Sequence, residues 1–277
     1  MNVDLHCHSH FSDGQLGPDE LLQRAYSNGV RCLSITDHDT LGAYQSGPLP
    51  VPVDMTLIPG IEMSAEWAGR NIHIVGLNVN TSDFALLAAV DKQQMVRIER
   101  AEQIARRLQK LGAGDLGPRA RELANGGSIG RPHFAHALVD AGVVRNVKEA
   151  FRKYLGAGKP GDVRNLWPSL AMAADWINAA GGIAVLAHPG KYKLTRTKLN
   201  LLLDEFTAAG GRSLEVISGS QTDDETRKLA GIAAERQLLA SCGSDFHRPD
   251  MQWSDLGRFP PLPASCEPVW TQWNINA

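Results

Sequence analysis

Three histidines and an aspartate lie within eight positions of the stretch HCHSHFSDG, which covers residues 6–14. The stretch follows Val3 and Leu5, so it is typical of the end of a short apolar strand. Side chains alternate between the two faces of a strand, which puts His6 and His8 on the same face. Imidazole and carboxylate groups bind Zn, Mn and Fe, and the stretch therefore predicts a metal site.

Residues of the same types follow other short apolar runs. The motifs SITDHDT, PGIEMS, NIHIVG, AVLAHPG and GSDFH each place a histidine or an acid near the end of such a run. With the first motif they give nine candidate ligands, which are His6, His8, Asp13, His38, Glu62, His73, His188, Asp245 and His247. Nine ligands are too many for one ion but enough for two or three ions, with Glu62 as a bridge.

The alternative for any single histidine is an ordinary hydrogen-bonded residue. For His73 or His188 alone that interpretation is favoured. It fails for the set, because many unpaired imidazoles and carboxylates at one site are costly to desolvate. His10, His133 and His136 lie outside the pattern, and His136 is predicted to be structural.

The elements that position these residues alternate between strands and helices. Apolar runs predict seven strands at 3–8, 31–36, 60–65, 71–77, 183–187, 212–217 and 238–242. Helical patterns follow at 18–28, 169–180, 198–209 and 222–237. The alternation indicates an α/β fold with mainly parallel strands, and the active site of an α/β barrel lies at the carboxyl ends of its strands. Only EWAGR separates the third and fourth runs, which predicts a hairpin.

One region interrupts this alternation. Residues 81–164 contain no convincing strand, and DKQQMVRIERAEQIARRLQKLG predicts a long amphipathic helix. Pro132, in SIGRPHFAHALVDAGV, suits the first turn of another helix. The prediction is a helical insertion at 81–164 within a metal-binding barrel formed by 1–80 and 165–277, with an irregular tail from Met251.

Composition limits the remaining possibilities. The chain has 277 residues, 43% of them hydrophobic, which is ample for a large core. A net charge of −2 argues against bulk electrostatic binding to nucleic acid or to an anionic membrane. The apolar runs are too short for a membrane span, and the N-terminus lacks the pattern of a secretory signal. Four scattered cysteines predict reduced thiols in a cytoplasmic protein.

The motifs HCHSHFSDG, SITDHDT, GIEMSAEWAGRNIHIVG, LAHPG and GSDFH together resemble the PHP (polymerase and histidinol phosphatase) superfamily. The resemblance implies a distorted, TIM-like (β/α)7 barrel that holds two or three metal ions. The insertion with IGRPH resembles a branch of phosphatases that remove the 3′-phosphate from nucleoside 3′,5′-bisphosphates, with products such as AMP and phosphate. Some relatives in that branch also trim short oligonucleotides from the 5′ end.

The same resemblance implies which residues hold three divalent ions, with Mn²⁺ expected and Zn²⁺ or Fe²⁺ as alternatives. The first ion would be held by His6, His8, Glu62 and Asp245. The second would be held by Glu62, His73 and His188. The third would be held by Asp13, His38 and His247. Many relatives have a histidine in place of Asp13, and a carboxylate there favours a harder ion such as Mn²⁺.

A catalytic hypothesis follows from this arrangement. Divalent ions lower the pKa of bound water, so the expected nucleophile is a hydroxide between the ions bridged by Glu62. The third ion, at Asp13, would grip the phosphate. His38, His247 or a water would protonate the leaving alkoxide, and the residue types do not decide between them. Asp13, His38, Glu62 and His247 are therefore the candidate catalytic residues.

The insertion offers a second anchor for the substrate. Arg97 and Arg100 lie one turn apart, and Gly130 and Arg131 precede a helix N-terminus, which binds anions. From spacing alone, a solvated face is the better interpretation of the arginines on the long helix. The family resemblance favours a clamp for the 5′-phosphate and leaves only Arg106 and Arg107 to solvent. The candidate substrate-binding residues are Asp13, His38, Arg97, Arg100, Gly130, Arg131, His133 and His247.

Two other functions remain open. One is a 5′–3′ exonuclease on short 5′-phosphorylated oligonucleotides, and the other is a non-catalytic metal-binding module. Phe134 and Trp67 are candidates for base stacking, although packing is the favoured interpretation of both. Neither a membrane nor an obligatory protein partner is predicted.

Overall fold

A computed structural model describes residues 1–164, 166–250 and 254–273. Within these ranges the chain forms eight strands, which are β1 (Asn2–Asp4), β2 (Val30–Leu33), β3 (Thr56–Leu57), β4 (Gly60–Trp67), β5 (Arg70–Leu77), β6 (Ile183–Leu186), β7 (Ser213–Ser218) and β8 (Leu239–Gly243). The first three strands make a parallel sheet in the order β1-β2-β3. The other five make a sheet in chain order, in which β5 is antiparallel to both of its neighbours.

The same parts of the chain contain nine α-helices, which are α1 (Pro18–Ser27), α2 (Gly42–Gln45), α3 (Phe84–Lys110), α4 (Gly117–Ala124), α5 (Arg131–Asp140), α6 (Val147–Ala150), α7 (Leu170–Ala179), α8 (Arg196–Ala208) and α9 (Asp223–Glu235). Short helical turns cover Phe151–Leu155, Pro189–Tyr192 and Val269–Trp273. No helix in the described ranges is both long and apolar enough to span a bilayer.

The α/β class and the β4–β5 hairpin are confirmed. In the hairpin Gly60 pairs with Leu77, and Trp67 pairs with Arg70. The two-residue strand β3 was not predicted, and β1 ends well before His8. Beyond β1 the chain continues between two neighbours: the His8 N–H donates to the Phe246 carbonyl after β8 at 2.9 Å, and the Cys7 carbonyl accepts from the Thr36 N–H after β2 at 2.8 Å.

The strands fall into two sheets, and backbone hydrogen bonds from the segments that follow β1 and β2 to the strands β8 and β4 join the sheets at two seams. The closed seven-stranded barrel stays a prediction. At one seam the Leu5 N–H donates to the Cys242 carbonyl at 3.0 Å. At the other, the Asp39 N–H donates to the Glu62 carbonyl at 2.9 Å, and the Glu62 N–H donates to the Asp37 carbonyl at 3.1 Å. Both seams run through motifs that carry candidate ligands.

Two hydrophobic cores are connected by α3. Its first turns bury Leu86 and Val90 in the main core, which fills the space between the five-stranded sheet and α7, α8 and α9. Its later turns bury Ile104 and Leu108 in a second core, formed with α4, α5 and α6. The segment between these turns carries Arg97 and Arg100, so both arginines lie where the two cores meet.

The described part of the C-terminal tail, 254–273, packs Phe259, Leu262, Trp270 and Trp273 against the main core. Met251, where the tail was predicted to begin, lies outside the described residues, as do 252–253 and 274–277.

Candidate metal centre and active site

Glu62 lies fully buried on β4 and contacts imidazoles through both carboxylate oxygens. Its Oε1 is 2.9 Å from Nδ1 of His73 and 3.0 Å from Nε2 of His188. Its Oε2 faces a different group, at 2.9 Å from Nδ1 of His38 and at 3.3 and 3.4 Å from Nε2 of His6 and His8 respectively. One carboxylate thus stands between two sets of nitrogen donors, which is the arrangement a bridging ligand requires.

Two further carboxylates complete the cluster. Asp245 Oδ1 lies 3.3 Å from Nε2 of His8 and 3.6 Å from Nε2 of His6. Asp13 Oδ1 lies 3.3 Å from Nε2 of His247. The structure therefore brings all nine predicted ligands together, in four overlapping groups whose donor atoms lie within 4.8 Å of one another.

The donor atoms of this cluster fit divalent cations. Buried polar atoms normally have hydrogen-bond partners. Here His6 Nε2, both ring nitrogens of His8, Asp13 Oδ1, His38 Nδ1 and Glu62 Oε2 are buried without a hydrogen-bond partner among the described residues. These unpaired atoms are nitrogen and carboxylate oxygen, the donors that Mn, Fe and Zn accept.

The charge states of Glu62, Asp13 and His73 also suit metal binding. Burial opposes ionisation of Glu62, but the surrounding imidazoles, His38 foremost, hold its pKa well below the ordinary value. Asp13 behaves in the same way, since His247 and His38 outweigh burial and hold its pKa well below the ordinary value. Burial lowers the pKa of His73 to about 4. Ionised carboxylates and neutral imidazoles are the forms that bind metals.

Local backbone features place the ligands. Asp37 accepts hydrogen bonds from the Ser9 N–H at 2.7 Å and the Ser12 hydroxyl at 2.7 Å, and these pin the loop that carries Asp13. Asp245 has a φ of 52° and His188 a φ of 29°. Such left-handed conformations are costly for residues with a side chain and cluster at functional sites. Both residues are candidate ligands at the end of a strand.

Glycine is required where β8 passes His6. A Cβ on Gly243 would lie 2.3 Å from the Cβ of His6 and 2.7 Å from its backbone nitrogen. Only a residue without a side chain lets the two segments approach so closely. The close approach holds His6 beside the segment that carries Asp245.

Glu215 is part of the site although its sequence context gave no sign of it. It lies on β7, and its carboxylate accepts hydrogen bonds from Nδ1 of His6 and from the backbone N–H of His188. Burial opposes a charge on His6, but Glu215 and Glu62 outweigh burial and raise the pKa of His6 to about 10. A carboxylate behind a ligating histidine fixes the ring and its tautomer.

A cavity of about 380 Å³ opens over the cluster, which is within the usual size range of small-molecule sites. Six candidate ligands line it, namely Asp13, His38, His73, His188, Asp245 and His247. Three arginines of the insertion complete its wall, and these are Arg97, Arg100 and Arg131. The arginines and the cluster therefore share one cavity.

The guanidinium group of Arg97 is fixed by hydrogen bonds to three other residues. Its Nε donates to Asp39 Oδ2 at 2.7 Å, Nη2 donates to Ser64 Oγ at 3.1 Å, and Nη1 donates to the Ile129 carbonyl at 3.2 Å. These bonds use most of its N–H groups. Arg97 therefore contributes charge and a fixed position more than free donors.

Arg100 has far fewer hydrogen-bond partners than Arg97 among the described residues. It is only 5% exposed, yet the described residues give it a single hydrogen bond, from Nε to the Val163 carbonyl at 3.5 Å, and no carboxylate. Burial and the nearby charges of Arg131 and Arg97 lower the pKa of Arg100 to about 9. At neutral pH Arg100 is thus a buried cation whose terminal N–H groups donate to no acceptor among the described residues.

The other predicted residues of the insertion occupy separate places. Gly130 lines the cavity at the start of α5, but His133 lines a neighbouring cavity. Nδ1 of His133 accepts a hydrogen bond from the Gly130 N–H at 2.9 Å, so His133 caps α5. Phe134 and Trp67 are buried in the two cores, which supports packing as their role.

Trp167 and Lys191 are among the cavity residues that were not predicted. Trp167 lies under the guanidinium groups of Arg97 and Arg100, with centroid distances of 5.3 and 5.4 Å. Lys191 follows His188 in a helical turn, and its ammonium pairs with Asp245. The proximity of Lys191 to the His188 motif was the available signal, whereas Trp167 lies far from every metal motif along the chain.

Comparison with known proteins identifies the family. Residues 4–98 match the PHP domain. A 3′,5′-nucleoside bisphosphate phosphatase of Chromobacterium violaceum is 41% identical over 273 residues, which cover 98% of this chain and 96% of that protein. A 5′-3′ exoribonuclease of Haemophilus influenzae is 41% identical over 268 residues, with 96% and 97% coverage.

A solved structure is similar as well. The amidohydrolase from Chromobacterium violaceum with bound sulfate and no metal superposes with a TM-score of 0.89 at 40% identity, over 98% of this chain and 95% of that one. Together with the geometry of the cluster, these similarities define a hydrolase of phosphoester bonds. The chain belongs to the PHP domain family, as its motifs predicted. Relatives of equal identity carry two different activities in their names, so the substrate has to be inferred from the cavity.

Proposed function

We propose that the protein is a metal-dependent phosphatase that removes the 3′-phosphate of nucleoside 3′,5′-bisphosphates, for example adenosine 3′,5′-bisphosphate, to give AMP and phosphate. The observation that supports this most is Arg100, a buried guanidinium in the cavity over the cluster for which the described ranges provide no carboxylate partner. An unpaired buried cation is costly, and a second phosphate of the substrate would satisfy it through charge-assisted hydrogen bonds.

The two phosphates would occupy different parts of one cavity. Arg100 and Arg131 would bind the 5′-phosphate under the helical insertion at 81–164, beside Gly130 at the start of α5. Asp13, His38 and His247 line the same cavity and would face the 3′-phosphate. The substrate is then held at both ends, which orients the scissile bond.

Nine residues would hold up to three divalent ions, with Mn²⁺ as the expected ion, in the ligand sets that the family resemblance implies. When bound, such ions polarise phosphoryl oxygens and generate a nucleophile from water at neutral pH. Glu62 would bridge two of the metal sites through its two carboxylate oxygens. Glu215 would keep the His6 ring oriented, and His38, His247 or a water would deliver a proton to the departing 3′-oxygen.

A 5′–3′ exonuclease is the second candidate, favoured by the equal identity of a 5′-3′ exoribonuclease. Its chemistry is nearly the same. In both reactions water adds to phosphorus and the bond from phosphorus to the 3′-oxygen breaks, so that a 5′-phosphorylated nucleoside leaves with a proton on its 3′-oxygen. The substrates differ only in whether the scissile phosphate also carries further nucleotides.

The experiment compares substrates with and without the 5′-phosphate. Manganese-loaded protein and Arg100→Ala are assayed on adenosine 3′,5′-bisphosphate and on 3′-AMP. Loss of two hydrogen bonds to a charged group predicts a fall in kcat/KM of about 100-fold or more for the bisphosphate. Activity on 3′-AMP should change little.

Arg106→Ala is the matched control, because Arg106 is 60% exposed on the same helix and pairs only with Glu102. Equal losses on both substrates would contradict the clamp. If protein with measured bound metal released phosphate from neither substrate, the proposed function would fail. The non-catalytic alternative would replace it only if a 5′-phosphorylated oligonucleotide were also left intact.

A further inference from the structure

A second cavity of about 570 Å³ continues from the one over the cluster. The two share Asn71, His73, Arg131, Phe151, His188 and Lys191 as walls. Beyond these shared walls the second cavity passes between the tip of the β4–β5 hairpin, with Arg70, and the loop that carries Asp162 and Arg164. We call this second cavity the hairpin groove.

The hairpin groove is strongly basic, although the protein as a whole carries a net charge of −2. Four cations line it, Arg70, Arg131, Arg164 and Lys191, against one carboxylate, Asp162, although Lys191 also pairs with Asp245. The Arg70 side chain is exposed and makes no hydrogen bond or ion pair with any residue that the structure describes. Arg164 pairs with Asp162 yet stays 44% exposed, so both arginines can reach a ligand in the groove.

Aromatic walls accompany this charge. Phe151 and Tyr192 line the hairpin groove, and both are only partly buried. A basic groove with partly exposed aromatic side chains is the combination that holds single-stranded nucleic acid, because cations follow the phosphates and rings stack on bases.

The cavity on the opposite side of the cluster lacks the free positive charge of the hairpin groove. Another cavity, of about 450 Å³, begins at Asp13 and His247 and is lined by His10, His136 and Arg248. Arg248 pairs with Asp250 at 3.1 Å, and burial lowers the pKa of His136. This side therefore offers little free positive charge to a polyanion.

We infer that the hairpin groove binds the nucleotides that follow the scissile phosphate when the substrate is a short 5′-phosphorylated oligonucleotide. The inference rests on the proposed function, which puts the 5′-phosphate at Arg100 and the scissile phosphate over the cluster. The remainder of the strand then starts at the cluster and needs a path to solvent. The hairpin groove is a path that opens from the cluster and carries the charge to hold the next phosphates.

The test uses Arg70→Ala and the Arg70→Ala/Arg164→Ala double variant, with Arg106→Ala as the control on a distant exposed surface. Manganese-loaded proteins are assayed on adenosine 3′,5′-bisphosphate and on a 5′-phosphorylated tetraadenylate. Loss of each phosphate contact predicts a rise in KM for the tetranucleotide of about threefold to tenfold. Since each contact to a single strand contributes about 0.7 to the salt slope, the double variant should lower that slope by about 1.4. The bisphosphate, which has no following nucleotide, should be hydrolysed by every variant as by the parent protein.

Each other outcome overturns the inference. Equal losses on both substrates would assign Arg70 and Arg164 to the common step, and no loss on the tetranucleotide would leave the groove without a role. A loss that instead follows His10→Ala/Arg248→Ala would place the strand on the opposite side. If the parent protein hydrolyses neither substrate, the proposed function fails, and anisotropy with a 3′-fluorescein tetranucleotide on manganese-loaded protein then tests the groove by itself. The inference would be overturned if the tetranucleotide did not bind, or if the Arg70→Ala/Arg164→Ala variant bound it as tightly as the parent protein.

Discussion

Glu215 accepts a hydrogen bond from Nδ1 of His6 at 2.8 Å and a second from the backbone N–H of His188 at 2.5 Å. It is not one of the nine candidate ligands, but it contacts two of them. The first bond orients an imidazole and leaves its Nε2 free to face the cluster. The second fixes the backbone of a residue whose φ is 29°. Glu215 therefore positions ligands from two distant motifs.

Glu215→Ala should lower the affinity for manganese by about 10-fold to 100-fold, the usual effect of losing a carboxylate behind a ligating histidine. Glu215→Gln should lie between the parent protein and Glu215→Ala, because its single amide oxygen cannot accept both hydrogen bonds. Manganese retained after dialysis, measured by elemental analysis with circular dichroism as the folding check, gives the answer. Glu235→Ala, at the exposed end of α9, is the control. Full metal retention in Glu215→Ala would show that Glu215 does not position the ligands.

Glu62→Gln should reduce phosphate release from adenosine 3′,5′-bisphosphate by more than about 100-fold, since loss of a direct ligand exceeds the usual effect of losing an outer partner. The amide keeps the volume of the side chain but presents an oxygen to only one of the two imidazole sets. Bound manganese per chain should fall together with activity. A variant that kept its metal content and stayed within tenfold of the parent rate would exclude a bridging role.

Much of the architecture was predictable because its signals are local. Pro18 and Pro132 mark helix starts, and the EWAGR turn marks the β4–β5 hairpin. Each metal motif follows its own apolar run, so the ligands could be found without knowing how the strands pair. The short strand β3 could not be found, since two residues of sheet carry no periodic pattern.

The supporting residues were missed because their partners are remote. Glu215 sits inside an apolar strand, 209 positions from His6. The role of Arg97 depends on Asp39, 58 positions away, and neither the spacing nor the charge of the long helix identifies that partner. Contacts of this kind follow from packing between elements, which a pattern along one element does not report.

Asp39→Ala should destabilise the protein by about 3–5 kcal/mol, because it leaves the buried guanidinium of Arg97 without its partner. The carboxylate also accepts from the Ser64 N–H at 2.6 Å and from Gln93 at 3.0 Å, so it joins the hairpin strand β4 to α3. Urea unfolding of both single variants and of the Asp39→Ala/Arg97→Ala double variant measures the coupling. Strictly additive losses would show that the pair does not act as a unit.

An exposed pair on α3 provides the comparison. Glu102 and Arg106 are 47% and 60% exposed, and Glu102→Ala should change the free energy of unfolding by no more than about 0.5 kcal/mol. KM for adenosine 3′,5′-bisphosphate should rise in Asp39→Ala and stay unchanged in Glu102→Ala, since only the former releases Arg97 from the cavity wall.

The four cysteine thiols should react very little with thiol reagents in the native protein. Burial raises the pKa of Cys32 to about 12 and holds the pKa values of Cys7 and Cys242 well above the ordinary thiol value. Cys266 is the one partly exposed thiol among the four. Titration with DTNB at pH 8 should therefore detect one slow thiol in native protein and four in guanidinium. Cys266→Ser should abolish the native reaction, and a fast second thiol would contradict this burial.

Asp255→Asn should cost about 1 kcal/mol of stability at pH 7, a value reduced for the partial exposure of its partner Arg24. The pair is bidentate, with Nε to Oδ1 at 2.7 Å and Nη2 to Oδ2 at 2.9 Å, and it ties α1 to the C-terminal tail. Partial burial opposes ionisation of Asp255, but hydrogen bonds from Arg24 and from the Leu256 N–H outweigh it and lower its pKa.

Because the folded pKa of Asp255 lies below the unfolded value of about 3.9, its stabilisation is complete above that pH and is lost as the pH falls through the folded pKa. The difference in unfolding free energy between the parent protein and Asp255→Asn should thus be constant from pH 7 to pH 5 and shrink below about pH 4. Urea unfolding at each pH measures it, with Asp204→Asn, an exposed partner of Arg236, as the control. A difference that persisted unchanged at pH 3 would show that the charge of Asp255 is not what stabilises the tail.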